Sequence, residues 1–520
     1  MAYTQYSQAW LEDPTSIFGI LVEVTVYDVV AAAEKTLYLS NIGFITTDAS
    51  VSYSPIIAGG INFTETLPVD GAPTMSFGDI ELDNLNGELD SWLDSTQYIW
   101  VNRYIQAYIG DPFWQCANLS DVHSKFQKIF DGVIADIDSK ARDKLNIKVR
   151  DKLNRLNVPI TSNKIGTYGT WSAGQTNQDT IKPLIFGEVF NITPLLVDPS
   201  TLEFMLNDGN TESLIELRDN GAPIYNSTIT SGATTDLTNG KVKLTKALAG
   251  TLTASVQGVK NSINLTTGAL VSGTYNNNIA NLVALIVTQY GTDKLTASEL
   301  DLTNLSNFAS ANTQPVGTLV TDTSTVISVC QELANSIGAQ LFMTRTGKLQ
   351  ILRIGSPTSD STVTIADTDI LFQSLNINTR TEVVPTTKIA YCKNWTTQSN
   401  LLTAIFPEHK EYFAADFITK SALDSAIKTT YKLSADAVQK DTLLLTAATA
   451  NAEATRLNNY YKVPRTIYSF VGTAKLLSLK LGQQVTLVNS RFGLTSGVTG
   501  QVVSLSPNWL EATINVEVIV

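Results

Sequence analysis

The sequence predicts a mainly β, α+β protein of several domains, in which two small β-barrel-like domains are combined with α/β and β-rich insert segments. Apolar and polar residues alternate in 20–26 and 77–83, which is typical of strands with one buried face. Turn-forming residues at 68–71 and 83–87 separate such runs. At 520 residues the chain is too long for one hydrophobic core, and we expect about three or four folding units.

Composition and pattern divide the chain into five segments. They are 1–158, an N-terminal β-rich domain with the strand spacing of a barrel or sandwich; 159–275, a β insert rich in Thr, Asn and Gly; 276–400, an α+β domain with two amphipathic helices and a hairpin; 401–464, a linker and helix; and 465–520, a C-terminal antiparallel β-barrel-like domain. No internal repeat is visible, so neither a solenoid nor a β-helix is expected.

The helical spacing of apolar residues is clearest between residues 279 and 337. Apolar residues recur every three or four positions in 279–290 and 324–337, and both helices are predicted to be amphipathic. Gly338 is suited to end the second helix, and a hairpin with its turn at 346–348 follows.

Two further stretches complete the secondary-structure prediction. A helix is expected from Asp441 to about Tyr461, because Ala and Leu dominate this stretch and Pro464 stops it. Residues 139–155, where Lys and Asp alternate, fit either a strand or a helix.

Charge and composition limit the possible partners. The formal net charge is −12, and no Lys/Arg cluster is denser than 140–152, which argues against sequence-specific binding in a DNA groove. An acidic wall along which DNA slides remains compatible with this charge. Only 16% of the residues are charged while 43% are hydrophobic, so we expect much of the surface to face other protein chains.

The sequence contains no secretion or membrane signal. Its start has neither the basic segment nor the apolar run of a secretory signal, so we expect synthesis in a cytoplasm. The longest apolar helical candidate, 279–290, is well short of the roughly 20 residues that span a membrane, and no membrane-spanning segment is expected. Cys116, Cys330 and Cys392 lie far apart in apolar surroundings, which predicts buried thiols rather than disulfides.

Motifs for catalysis and cofactor binding are missing from the sequence. Only His123 and His409 could serve as histidine acids, bases or zinc ligands, and we interpret both as solvated loop residues. The Gly-Lys pairs at 240–241 and 347–348 are not followed by Ser or Thr, so neither is a phosphate-binding loop. We therefore predict no enzyme activity, no catalytic, cofactor-binding or metal site, and no cofactor.

One cluster of carboxylates needs an interpretation. It consists of Asp79, Glu81, Asp83, Glu88, Asp90 and Asp94. A calcium site or a glycosidase pair would use such residues, but Gly87 is one place early for a calcium loop that starts at Asp83. The acids at 79, 81 and 83 alternate with Ile80 and Leu82, so we interpret them as the solvated or interface face of a strand.

Aromatic residues are concentrated between residues 92 and 114. They are Trp92, Tyr98, Trp100, Tyr104, Tyr108, Phe113 and Trp114. A sugar- or protein-binding platform and simple core packing both fit this run. Val101, Tyr104 and Ile109 suit a strand interior, whereas Trp114, close to Pro112, is expected to be exposed.

Short runs built on glycine turns are spread along the chain. They are 37–46, 53–60 and 77–90 near the N terminus, 326–354 in the centre, and 479–487 and 493–502 near the C terminus. Together they resemble the hub proteins of bacteriophage tail tips and baseplates, the trimeric proteins that close the tail tube of long-tailed phages. The resemblance spans most of the chain and is weakest in about 160–275.

The resemblance implies a homotrimer in which two tail-tube-like domains per chain form a pseudo-hexameric ring that continues the six-fold tail tube. DNA would only pass through its central channel, which we expect to be lined by acidic side chains because a lumen that repels phosphates lets DNA slide. The implied partners are the tail tube or distal tail protein, a tip, spike or fibre protein, and the tape-measure protein. The implied location is the tail tip of the virion.

Two other functions are kept as alternatives. A glycan-binding surface adhesin or receptor-binding protein would use the aromatic run near Trp100. A tailspike that degrades polysaccharide would use paired carboxylates, but it predicts a β-helix, which the sequence does not support.

Overall fold

A computed structural model of the chain describes residues 3–68, 76–171, 176–399, 401–403, 405–433 and 437–520. Contacts between residues divide the chain into two compact units, each assembled from separate stretches. Unit 1 comprises Met1–Asn154, Phe342–Thr381 and Arg465–Val520, and unit 2 comprises Arg155–Leu341 and Glu382–Pro464. The division into five sequence segments stays a prediction.

Strands dominate the chain, and the helices are short. The elements up to residue 150 are α1 (Gln8–Glu12), β1 (Gly19–Asp28), β2 (Ala33–Ser40), β3 (Phe44–Ile45), β4 (Ser52–Pro55), β5 (Ile57–Thr66), β6 (Phe77–Asp83), β7 (Tyr98–Ile99), β8 (Tyr104–Gly110), α2 (Leu119–Lys125), β9 (Gln127–Ala141) and β10 (Lys144–Arg150). Those from 184 to 353 are β11 (Leu184–Ile192), β12 (Leu195–Asp198), β13 (Glu203–Met205), β14 (Thr211–Asp219), β15 (Ala222–Tyr225), β16 (Ala233–Asp236), β17 (Lys241–Leu244), β18 (Leu252–Val259), β19 (Asn261–Ile263), β20 (Leu270–Ser272), α3 (Ile279–Gln289), α4 (Leu302–Ala311), β21 (Gly317–Val320), α5 (Val326–Asn335), β22 (Ala339–Met343) and β23 (Leu349–Arg353). The last are β24 (Val363–Ile365), β25 (Asn376–Arg380), β26 (Thr386–Tyr391), α6 (Pro407–Ala414), β27 (Ile418–Leu423), α7 (Ser425–Thr430), β28 (Gln439–Asp441), α8 (Ala447–Tyr461), β29 (Thr466–Gly472), β30 (Gln484–Leu487), β31 (Val498–Asn508) and β32 (Thr513–Ile519).

One large sheet organises unit 1. Its strand order is β25-β29-β32-β31-β5-β6-β10-β9-β8-β1-β2-β4-β3, while β7 pairs with β1 and β30 pairs with both β31 and β24. We call β1–β10 its N-terminal half, and β24, β25 and β29–β32 its C-terminal half. The order has two ends, so the sheet is open within the described residues, and the predicted mainly β, α+β class is confirmed.

The core of unit 1 follows from the alternating pattern of its strands. In β1 the residues Ile20, Val22 and Val24 are buried, and in β6 the buried residues are Ile80 and Leu82. Because side chains alternate between the two faces of a strand, this pattern buries one face of the sheet and leaves the other polar. A single cluster of buried apolar side chains runs through both halves.

Unit 2 combines smaller sheets with most of the helices. Its sheets have the strand orders β15-β14-β18-β11-β21, β12-β13-β17-β16, β19-β20 and β27-β26-β28. Helix α3 packs against α4 and α5, and α8 packs against β26 and β27. The predicted hairpin is present as β22 and β23; its turn, with Gly347 at a φ of +74°, and β23 belong to unit 1.

The two predicted amphipathic helices differ in the structure. Residues 279–287 of α3 are all buried, so the prediction of an amphipathic helix is wrong there, because a helix that is apolar on all sides belongs inside a core. In α5 the buried residues include Val326, Val329 and Leu333 while Glu332 is exposed, which confirms the prediction. In the described ranges, no helix is both long and apolar enough to cross a lipid bilayer.

Local capping explains where the last predicted helix begins. Helix α8 starts at Ala447 rather than at Asp441, because the Thr446 side chain accepts a hydrogen bond from the Thr449 N–H and so caps the helix. Asp441 instead ends β28. The stretch 139–155, for which strand and helix were both open, contains the end of β9, strand β10 and a 3-10 turn.

Candidate assembly surface

The two halves of unit 1 are joined edge to edge through β5 and β31. Thr66 pairs with Ser504 and Glu65 with Leu505 in antiparallel register. The pairing is extended by the Leu67 N–H, which donates to the Val503 carbonyl at 2.8 Å. Two distant parts of the sequence therefore form one continuous sheet.

The side of this sheet that faces away from the core is mainly polar across the junction, with Phe77 of β6 as an exposed apolar residue on the same side. We call it the polar face; its residues are Asn62, Thr64, Asp79, Glu81, Asp83, Asp136, Asp138, Lys144, Lys148, Arg150, Ser469, Ser504, Ser506, Asn515 and Glu517. The strand register aligns them, since Asn62 pairs with Asp79 and Asp79 with Lys148 in the N-terminal half. Across the junction the Thr64 hydroxyl donates to the Ser506 hydroxyl at 3.1 Å.

Charge is distributed unevenly over the polar face. The C-terminal half contributes mainly Ser and Asn, whereas the N-terminal half contributes most of the carboxylates and the three cations. Lys148 lies 2.6 Å from Asp138, and Lys144 contacts Glu81. These pairs are exposed to solvent, so they fix charge positions more than they stabilise the fold. Carboxylates outnumber cations, and the interpretation of Asp79, Glu81 and Asp83 as a strand face with Ile80 and Leu82 behind them is confirmed.

A buried ion pair lies under the junction. Glu65 is almost fully buried, and its Oε1 accepts a hydrogen bond from the Arg345 backbone N–H at 2.8 Å. The Arg345 Nη1 lies 3.6 Å from the other oxygen of the same carboxylate. Burial raises the pKa of Glu65, and the charge of Arg345 opposes this rise.

Arg345 also binds the C-terminal half. Its Nη2 donates to the carbonyls of Leu477 and Leu479 at 2.9 and 3.1 Å, and its guanidinium lies over the ring of Trp509. Its own carbonyl accepts the Asp131 N–H of β9 at 2.7 Å. One residue on the turn between β22 and β23 thus connects both halves of the sheet.

Asp131 and Asp151 are also buried carboxylates of unit 1. Asp131 is 2.8 Å from the Lys152 ammonium. Asp151 accepts the backbone N–H groups of Ser76 and Leu153 at 2.7 and 2.9 Å. Burial nevertheless raises the pKa of Asp151 to about 7, against the opposing effect of these two donors.

The residues that the sequence offered for chemistry are scattered. His123 lies on α2, with its Nε2 2.8 Å from Glu23 Oε1 and its ring stacked on Tyr108, and His409 lies on α6. Both histidines are therefore on short helices, and the prediction of loop positions is wrong. Among the described residues, no three His, Cys, Asp or Glu side chains are grouped as a metal ion would require.

The predicted thiols are mainly internal, whereas the aromatic run is divided between core and surface. All three cysteines are unpaired; Cys116 and Cys330 are buried and Cys392 is half-buried. Trp100, Tyr108 and Trp114 are buried, which agrees with the core-packing interpretation of the aromatic run. The expected exposure of Trp114 is wrong, because its indole N–H donates to the Tyr3 carbonyl inside the fold. Val101 and Tyr104, expected in the interior, are exposed.

Sequence reasoning missed Glu65 and Arg345. The signal for Glu65 was present, because the inward positions of β5 are Ile61, Phe63 and then Glu65. A charged residue at an apolar position of an alternating strand requires a buried partner. No comparable signal marks Arg345, which lies on a turn.

Comparisons with known proteins find distant structural similarity to tail proteins. No protein-family model and no curated protein sequence matches it. It is similar to the 43 kDa tail protein of prophage MuSo2 from Shewanella oneidensis, with 11% identity over 96% of this chain and 98% of that one and a TM-score of 0.40. It is also similar to a tail protein from Neisseria meningitidis MC58, with 8% identity over 97% of each chain and a TM-score of 0.38. A third similar structure is prophage tail protein gp18 from Listeria monocytogenes EGD-e, with 8% identity over 96% of this chain and 94% of that one and a TM-score of 0.36.

The structural neighbours are thus phage tail proteins, the class that the glycine-turn runs resemble. The likeness concerns the fold alone. It is too distant to transfer the role of a residue or the identity of a partner to this chain.

Replacing Arg345 should destabilise unit 1 strongly. Arg345→Met leaves Glu65 buried without its cation, which typically costs about 3–5 kcal/mol of unfolding free energy. Arg103→Met removes a partly exposed partner of Glu34 and should cost at most about 1 kcal/mol. Denaturant unfolding followed by tryptophan fluorescence compares the two, and equal losses would refute the anchoring role of Arg345.

Stability should also fall as pH rises from about 4 to 7. In this range Asp151 keeps its proton in the folded chain but has lost it in the unfolded chain. The pKa of Glu65 is also raised by burial, so Glu65 lowers the stability with rising pH in the same way. Asp151→Asn should flatten this fall, whereas Asp83→Asn, at an exposed position, should leave it unchanged. Unfolding free energies measured at several pH values test this, and a stability that rises with pH over this range would contradict it.

Proposed function

We propose that this chain is a structural hub of a phage tail tip or baseplate. Three copies form a ring that continues the six-fold tail tube, and each copy contributes the two halves of unit 1 to the ring wall. The continuous polar face across the β5–β31 junction carries this proposal. The wall of a tube needs a sheet with one face packed on a core and the other facing a water-filled channel. Both halves of unit 1 have such a pair of faces, and the register between β5 and β31 keeps their polar sides together.

The charge of the polar face suits passage of DNA without binding. Carboxylates repel phosphates, and the few lysines are held by neighbouring acids, as Lys148 is by Asp138 at 2.6 Å. A wall with unpaired lysines would instead release counterions and hold the DNA. The ring therefore serves as a conduit, and DNA only passes through its lumen.

The free end of the sheet offers a surface for the neighbouring copy. All five residues of β25 are exposed, and β25 ends the strand order. Close to it in sequence, Leu371 is exposed and Phe372 is 91% exposed. An exposed strand edge with adjacent apolar side chains favours association. A head-to-tail contact from this end of one copy to the β3–β4 end of the next closes into a ring if each step rotates by one third of a turn.

The remaining surfaces then bind the rest of the tail. The proposed partners are the tail tube or distal tail protein on one side of the ring and a tip, spike or fibre protein on the other, with the tape-measure protein inside. This assigns the chain to the tail tip of the virion, with a structural rather than an enzymatic role.

The purified chain should have three times its chain mass of 56.4 kDa in solution. Phe372→Asp should shift it toward the monomer, because the change introduces a charge into the proposed contact. Phe113→Asp, at a residue that is 76% exposed elsewhere in unit 1, is the matched control and should leave the mass unchanged. Multi-angle light scattering gives the masses, and negative-stain images show the ring; a wild-type monomer at all concentrations would contradict the proposal.

A further inference from the structure

Unit 2 contains a cavity that shares no residue with the polar face of unit 1. Its volume is about 230 Å³. It is lined by Ile165, Tyr168, Lys182, Met205, Asp208, Gly209, Asn239 and Lys241. It is smaller than the roughly 300–1,000 Å³ of sites for drug-sized ligands, so its occupant is a small molecule or one unit of a chain.

The cavity has an apolar side and an aromatic side. Ile165 and Met205 are nearly buried and pack with Val197 in a small cluster of their own. Tyr168 stays 43% exposed although it is a large aromatic residue. Its ring is covered on one side by the Lys241 ammonium, 3.6 Å from the ring centroid.

Tyr168 is held in place before any ligand arrives. Its hydroxyl donates to Glu203 Oε1 at 2.7 Å. The next residue, Gly169, has a φ of +85°. A Cβ atom at this position would lie 2.1 Å from the Val197 carbonyl oxygen, so only glycine allows the loop to come this close to β12. The Thr170 N–H donates to Asp198 Oδ1 at 3.2 Å. A wall fixed in this way loses little entropy on binding.

The charges around the cavity are balanced in pairs. Lys241 lies 3.1 Å from Glu203, and Lys182 lies 3.4 Å from Asp208. Each ion pair presents a hydrogen-bond donor and an acceptor side by side. The side-chain amide of Asn239 adds an NH₂ donor and a carbonyl acceptor. A phosphate would compete with the carboxylates for the lysines, and a metal ion would face two ammonium groups. A neutral ligand with hydroxyl groups, each of which both donates and accepts, fits this lining.

We propose that this cavity binds one pyranose unit of a neutral saccharide, with its C–H face on Tyr168 and the apolar side and its hydroxyls on Lys182, Asp208 and Asn239. This is a separate function from the ring, because every lining residue belongs to unit 2. It gives the tail component a weak contact to a glycan. The site shares no residue with the aromatic run near Trp100.

Saturation-transfer difference NMR on the purified full chain tests the proposal. The probes are D-glucose, D-galactose, L-rhamnose and N-acetyl-D-glucosamine at millimolar concentrations, with inorganic phosphate as the competing anion. At least one sugar should show transfer to its ring protons, and its affinity should fall by about tenfold or more in Tyr168→Ala. Tyr168→Phe keeps the ring and should retain most of the binding.

The controls separate a lost site from a lost fold. Tyr431→Ala removes a tyrosine that is also 43% exposed, and it should bind the sugar as the wild type does. If Tyr168→Ala does not fold, Lys182→Ala removes one hydroxyl partner without touching the aromatic side and should weaken binding. Three results would overturn the proposal. They are the absence of saturation transfer to every sugar of the panel, saturation transfer that is unchanged in both cavity variants, and displacement of the sugar by phosphate.

Discussion

The buried pair of Glu65 and Arg345 is the constraint on which the rest of unit 1 depends. Glu65 occupies an inward position of β5, where water is excluded, so its charge has to be met inside the protein. Arg345 supplies this charge from a turn in the middle of the chain and also binds the carbonyls of Leu477 and Leu479. An apolar pair would fill the same space, but it would not specify that these three stretches of chain meet. We infer that the ion pair is kept for specificity more than for stability.

The polar face follows from this junction. Side chains alternate along a strand, so the register between β5 and β31 decides which face of the C-terminal half continues the polar face of the N-terminal half. A slip of one residue would bring Leu505 and Val516 to that side and bury Ser504 and Glu517. Three kinds of contact fix the same register. They are the ion pair of Glu65 and Arg345 beneath the junction, the backbone pairing of β5 with β31, and the hydroxyl pairs on the polar face.

Local patterns in the sequence predicted local structure well. Strands at 20–26 and 77–83 were recognisable because each buries one face and shows it as alternation. The burial of α3 on all sides was missed although its signal was present, because residues 279–287 are apolar all round the helix except at Asn281. The junction between β5 and β31 was out of reach, since its hydroxyl pair of Thr66 and Ser504 is separated by 438 positions and neither strand alone specifies its neighbour. The cavity in unit 2 was missed for the same reason, because its lining comes from strands and loops spread between residues 165 and 241.

The direction in which the polar face points decides whether the sheet of unit 1 forms the wall of a channel. A cryo-electron-microscopy reconstruction of the assembled ring would show it. We expect Asp79, Ser504 and Glu517 on the wall of the central channel, with the β5–β31 junction intact in every copy. A reconstruction in which these residues point outward, or in which the two halves of the sheet separate, would contradict it.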